Sequence, residues 1–281
     1  MTRRSFFPMA AGPAVAASAF RAGAQTVARK GRLKQCVTRG CFGRGMSLPD
    51  MCREAARLGC KGFDLIGPPD WPALKEHGLL PTMVPSASSI RDGINRKENH
   101  ARFDQGIRES IDQAAAAGAP NVIVLSGERK GLPDDQGIDN CVLFFNNIKK
   151  HAEDKGVTLC MELLNSKVNH PDYQCDHTRW GVEVCKRVNS PRVKLLYDIY
   201  HMQIMEGDVI RTIRENIQWI GHFHTAGVPG RHEFDDRQEL NYRGIAQAIV
   251  DTGYTGYFAH EYSPTKDPIA SLDEAIRICD V

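Results

Sequence analysis

From about Leu33 onward the chain repeats one pattern, a short apolar run followed by a longer amphipathic one. The short runs fall at 34–37, 62–65, 80–84, 121–125, 157–162, 193–198, 219–224 and 256–261. Between them, apolar residues at helical spacing mark 48–58, 102–117, 138–155, 178–188, 208–215, 241–252 and 269–279. Gly59, Gly118, Gly156 and Gly253 each follow a helical run, where a left-handed cap is wanted. Strands that alternate with helices are joined by crossovers and therefore run parallel. Eight such units in 281 residues suit a closed (β/α)8 barrel, an α/β fold, better than an open sheet. The third strand is the least marked, because Pro81 and Pro85 crowd it.

The first 24 residues differ from the rest. Arg3 and Arg4 precede an uncharged, alanine-rich stretch, and Ala22-Gly23-Ala24 offers a small-x-small cleavage site before Gln25. That order predicts a signal peptide over 1–24, with the paired arginines favouring the Tat route, and one barrel domain over 25–281. The expected location is therefore the periplasm, or the cytoplasm if the leader goes unused. The apolar stretch is shorter than a membrane span and contains Pro8, Gly12 and Pro13, so the mature chain is expected to be free of the membrane. Without Arg3, Arg4 and Arg21 the chain keeps 33 basic against 34 acidic residues, a net charge near −1. No cationic face for nucleic acid is expected. A homo-oligomer is compatible with this composition. The nine cysteines are scattered, with no paired spacing, and are expected to pack the core rather than form a disulfide or zinc scaffold.

The chemistry gathers where the last four strands end. The fifth ends at Glu162, the sixth at Asp198, the seventh at His224 and the eighth at Glu261. The intervals of 36, 26 and 37 residues each approximate one βα unit. Parallel barrel strands point their carboxyl ends at one face and lie about 4.8 Å apart, so four neighbouring ends can converge. Three carboxylates and one imidazole suit Mn2+, Mg2+ or Co2+ and lack the thiolates of structural zinc. Such an ion can stabilise an enediolate made by removing the C–H proton of an α-hydroxy carbonyl compound. Glu162 and Glu261 would approach it from opposite sides and could remove and return the proton.

These residues sit in recognisable runs. Glu-Leu-Leu-Asn begins at Glu162, Tyr-Asp-Ile-Tyr-His-Met-Gln at Tyr197, Ile-Gly-His-Phe-His at Ile220, Pro-Gly-Arg-His-Glu at Pro229 and His-Glu-Tyr at His260. Over about 157–264 the chain resembles the hydroxypyruvate isomerase family within the xylose isomerase-like TIM-barrel superfamily. The same frame resembles ketose 3-epimerases. The resemblance implies that Glu162 and Glu261 are catalytic glutamates and also metal ligands, with Asp198 and His224 completing the set. His201 matches a substrate-binding histidine, and Arg231 would bind a substrate carboxylate or hydroxyl. The implied activity is a metal-dependent isomerase of a small α-hydroxy carbonyl compound, a sugar or a hydroxy-keto acid.

Three departures bear on that expectation. His224 follows the epimerases, where the isomerases carry glutamine. Val168 stands where the epimerases place a second glutamate. The loop after the third strand matches neither pattern. A 3-epimerase, an abasic-site endonuclease and a non-catalytic periplasmic binder of sugar or metal are the alternatives. His222 is expected one layer below His224, and His260 on the side of the helices. His77, His100, His151, His170 and His177 are expected at the surface.

Overall fold

The computed structural model describes Met1 and residues 27–281. The expected leader lies outside the described residues apart from Met1.

The expected order of elements is present. It runs β1 (Lys34–Val37), α1 (Leu48–Leu58), β2 (Gly62–Asp64), α2 (Trp71–Glu76), β3 (Leu80–Met83), α3 (His100–Ala117), β4 (Asn121–Val124), α4 (Asp134–Lys155) and β5 (Thr158–Leu163). It continues with α5 (Thr178–Val188), β6 (Val193–Asp198), α6 (Ile199–Met205), α7 (Val209–Asn216), β7 (Ile220–Thr225), α8 (Tyr242–Asp251), β8 (Tyr257–His260) and α9 (Pro268–Cys279). Helix α1 shows why such boundaries are readable. Ser47 accepts the Asp50 amide at the start, and Gly59 ends the helix at φ 93°. Gly118 and Gly156 close α3 and α4 in the same left-handed conformation.

All strand pairs are parallel, in the order β3-β2-β1-β8-β7-β6-β5-β4. The barrel closes through one bridge between Val84 and Val122. There Val84 donates to Asn121 at 2.9 Å and accepts from Ile123 at 3.0 Å. Pro85 has no N–H to extend this seam, which accounts for its thinness. Met83, Ile123, Cys160 and Leu196 form an apolar layer inside the barrel. A second and larger core fills the space between strands and helices. All nine cysteines are free and buried. Burial pushes the thiols of Cys41, Cys60 and Cys185 up to about 12, so they stay neutral and unreactive. Among the described residues no helix is long and apolar enough to cross a membrane.

Two helices were not expected. Helix α2 is short, with Pro68 and Pro69 ahead of it and Pro72 in its first turn. Helix α6 starts directly at the sixth strand's terminal aspartate, with no intervening loop to announce it.

Close strand approach makes one glycine testable. A Cβ at Gly62 would lie 2.1 Å from the Leu80 carbonyl oxygen, whereas one at Gly78 meets nothing within 4 Å. Gly62→Ala is expected to lower the unfolding free energy by about 3 kcal/mol. Gly78→Ala, strained only by its positive φ, should cost about 1 kcal/mol. Urea unfolding of both variants checks the ordering.

Candidate active site

The four expected strand-end residues come together. One ligand atom from each of Glu162, Asp198, His224 and Glu261 lies within 4.8 Å of the others. His224 Nδ1 is 2.8 Å from Glu261 Oε2 and 3.4 Å from Glu162 Oε1. Asp198 also caps α6, accepting the His201 amide at 3.2 Å. Strand register explains the meeting. Asp198 sits beside His224 across β6 and β7, and His224 beside Ala259 across β7 and β8.

His224 is fixed from below by a residue not singled out from the sequence. Its Nε2 hydrogen-bonds Asp64 Oδ2 at 3.0 Å. The same carboxylate oxygen takes a hydrogen bond from His222 Nε2, and Thr82 donates to the other oxygen. His222 is oriented in turn by Asn121. The Asn121 Nδ2 donates to the Thr82 carbonyl at 3.0 Å and to His222 Nδ1 at 3.2 Å. His222 Nδ1 is therefore an acceptor, and its proton sits on Nε2 facing Asp64. Asp64 likewise demands a proton on His224 Nε2, which turns His224 Nδ1 toward the three carboxylates. Although Glu261 Oε2 lies 2.8 Å away, this buried atom makes no well-formed hydrogen bond. Asp64 is the last residue of β2, at the same end of its strand as Glu162, Asp198, His224 and Glu261 are of theirs.

The donor set fits a hard divalent cation. It offers three carboxylates and an unsatisfied, pre-aimed imidazole nitrogen in a buried cluster. The electrostatics agree. Burial raises the carboxyl groups of Glu162 and Asp198 above their usual range, and neighbouring carboxylates add to the shift. Burial opposes the His224 imidazolium, but Glu261, Asp64 and Glu162 outweigh it and raise His224 well above the ordinary histidine value. Burial also opposes ionisation of Glu261, yet His224 and Arg231 lower it to about 2.

Arg231 reaches the same cluster from the loop after β7. Its guanidinium lies 2.7 Å from Glu261 Oε2 and 3.4 Å from Asp198 Oδ2. Its backbone holds φ 59°, kept there by bonds to Gly227 and Ser263. Glu233 anchors this loop to the one after β8, accepting from the Lys266 amide at 2.8 Å and from Thr265 Oγ1 at 2.9 Å.

His201 is wholly buried. Its Nδ1 accepts the Asn165 amide at 3.1 Å, so Nε2 carries the proton and points 3.6 Å from Asp198 Oδ2. Burial, then Arg231, depresses its pKa well below the usual value, which keeps the ring neutral. His170, expected at the surface, is half-buried and packs at a tilt against His201, with ring centroids 5.3 Å apart. His100 is also drawn inward, bonded at 2.8 Å to the Ile94 carbonyl. His260 is buried on the helix side, bonded to Gln35 at 2.9 Å. Val168 is 64% exposed and takes no part in the cluster.

The xylose isomerase-like TIM-barrel profile matches residues 52–280. A Mus musculus protein named provisionally as a hydroxypyruvate isomerase is 30% identical over 250 residues, covering 80% of this chain and 87% of that protein. The match to a human counterpart of the same name spans 64% of its length. A 2-oxo-tetronate isomerase of Cupriavidus necator is 32% identical over 176 residues, 61% of this chain and 66% of that protein. Among solved structures, a Brucella melitensis protein described as a family 2 AP endonuclease superposes with TM-score 0.78 at 26% identity, covering 85% of this chain and 96% of that one. A D-psicose 3-epimerase from Clostridium cellulolyticum shares the fold at TM-score 0.67 and 18% identity, covering 88% of this chain and 96% of that one.

Removing the carboxylate that orients His224 should loosen the site without touching a ligand. Asp64→Asn is expected to weaken Mn2+ binding by about 10–100-fold in calorimetry. In the unaltered protein, binding should release a proton from His224, because its raised pKa keeps Nδ1 protonated at neutral pH. Affinity should therefore rise with pH, and titrations in buffers of different ionisation enthalpy count the proton.

Proposed function

This chain belongs to the xylose isomerase-like TIM-barrel family, and from that premise we propose that it is an isomerase of a small α-hydroxy carbonyl acid, of the hydroxypyruvate and tartronate semialdehyde kind. The observation that carries the reading is the meeting of Glu162, Asp198, His224 and Glu261 at one barrel mouth, with Arg231 beside them.

In this reading the four residues hold a divalent cation, Mn2+, Mg2+ or Co2+. Such an ion would supply Lewis-acid stabilisation of negative charge developing on the substrate's oxygens. Glu261 acts as the base. Arg231, 2.7 Å from its carboxylate, favours the ionised form that a base must have. Its side chain is 21% exposed, against 9% for Glu162, and is the more accessible of the two. The same Glu261 carboxyl group then returns that proton at the neighbouring carbon, with Glu162 the second carboxylate in reach. Neutral His201 donates from Nε2 to a substrate oxygen. Arg231 orients the substrate's carboxylate, its fork being the positive group that faces the cluster.

A 3-epimerase would use the same parts and return the proton to the opposite face. His224, which follows the epimerase pattern, favours that second reading, while exposed Val168 in place of a glutamate opposes it. An abasic-site endonuclease would want more than the single histidine found among the four ligands. A non-catalytic binder would need neither carboxylate as a base.

The test is isotope exchange. With Mg2+ in D2O, the C–H of hydroxypyruvate or tartronate semialdehyde should exchange and the isomer should form. Glu261→Gln should lower exchange by about 10²–10⁴-fold. Exchange only with ketoses would select the epimerase, and no exchange across both substrate classes by a metal-loaded protein would select the binder.

We also propose export of the mature chain from Gln25. Amino-terminal sequencing of periplasmic protein should find that start, and R3K/R4K should leave the chain in the cytoplasm. An intact amino terminus in the cytoplasm of the unaltered strain would contradict it.

A further inference from the structure

The end of the barrel opposite the four ligands carries its own cavity. It measures about 560 Å3 and opens at the amino-terminal ends of the strands. Lys34 of β1, Lys194 of β6 and Arg192 line it, and no aspartate or glutamate does.

Each cation is held by something other than a carboxylate. The Lys34 ammonium lies 5.3 Å from the centre of the Tyr257 ring. That of Lys194 lies 5.5 Å from the Trp219 ring and donates to the Gln218 carbonyl. Arg192 Nη1 donates to Thr158 Oγ1 at 3.3 Å. Ring faces and carbonyls orient a cation but do not neutralise it. Three positive charges around one concave surface make a field that favours an anion.

The wall is also built rather than incidental. Thr158 is only 8% exposed, and because its oxygen accepts from Arg192 its own proton is left free to donate. Tyr254 fixes the rim, its hydroxyl donating toward the Gly221 and Tyr257 carbonyls at 3.0 Å each. Two glycines allow the close approach. A Cβ at Gly221 would lie 2.9 Å from that of Lys194, and one at Gly256 would lie 2.3 Å from the Tyr254 hydroxyl.

We propose that this cavity binds a compact phosphate group, free or carried by a small metabolite. Arg192 supplies a directional fork, the two lysines supply charge, and the Thr158 hydroxyl supplies a further donor. The site is separate from the isomerase chemistry and does not depend on it.

Calorimetry and 31P NMR of the Mg2+-loaded protein with inorganic phosphate, and in parallel with glycerol 3-phosphate, test this. One saturable site per chain is expected. Each of K34M and K194M should weaken it about tenfold, the loss of one charge-assisted contact. Tighter binding of the ester would mean that the cavity also takes the organic part, and equal binding that it takes the phosphate alone. Lys34 is exposed, so K34M decides the matter even if K194M fails to fold. Absence of saturable binding would overturn the proposal. So would equal affinity in K34M and the unaltered protein, which would place the phosphate elsewhere, as at Arg231.

Discussion

One buried imidazole organises the centre of this molecule. His224 is bonded to Asp64 on one nitrogen and faces Glu162, Asp198 and Glu261 with the other. An imidazole that is free to turn would present either nitrogen. The Asp64 carboxylate removes that freedom, and its own position is set by His222, Thr82 and, one step further, Asn121. The chain of bonds crosses the barrel interior from β4 through β7 to β2. A buried carboxylate between two histidines is costly unless every oxygen is satisfied, and here each is. The site is thus supported by the polar part of the barrel core rather than by its loops.

The loops add what the strands lack. Three carboxylates at close range repel one another, and Arg231 offsets that repulsion from the loop after β7. The loop holds its shape because buried Glu233 ties it to the backbone after β8. Rigid strand ends hold the ligands, and a braced loop brings the positive charge. This division suits proton transfer next to a carbonyl, where the base must be near the carbon and the counter-charge near the oxygens.

Much of this was legible in the sequence. Strands β1 and β6 and helices α1 and α5 fall on the expected residues, because apolar periodicity marks them and, for α1, Gly59 marks the end. The four strand-end residues were readable since each terminates an apolar run at about one βα interval. What escaped reading depended on three-dimensional partners. Asp64 ends a strand of only three residues, and its meaning lies in histidines far along the chain. Helix α6 follows β6 without a turn signal. His170 looks like a loop residue until the fold packs it against His201. The membership of the chain in its family was carried by short runs around the ligands, where side chains must meet a fixed geometry.

The central claim is that these strand ends hold a single divalent ion. Anomalous X-ray diffraction at the manganese edge, from crystals grown with Mn2+, tests it directly. The account predicts one peak per chain, ligated by Glu162, Asp198, Glu261 and the Nδ1 of His224. No peak among those four, or a peak among Asp64, His222 and His224 instead, would contradict it.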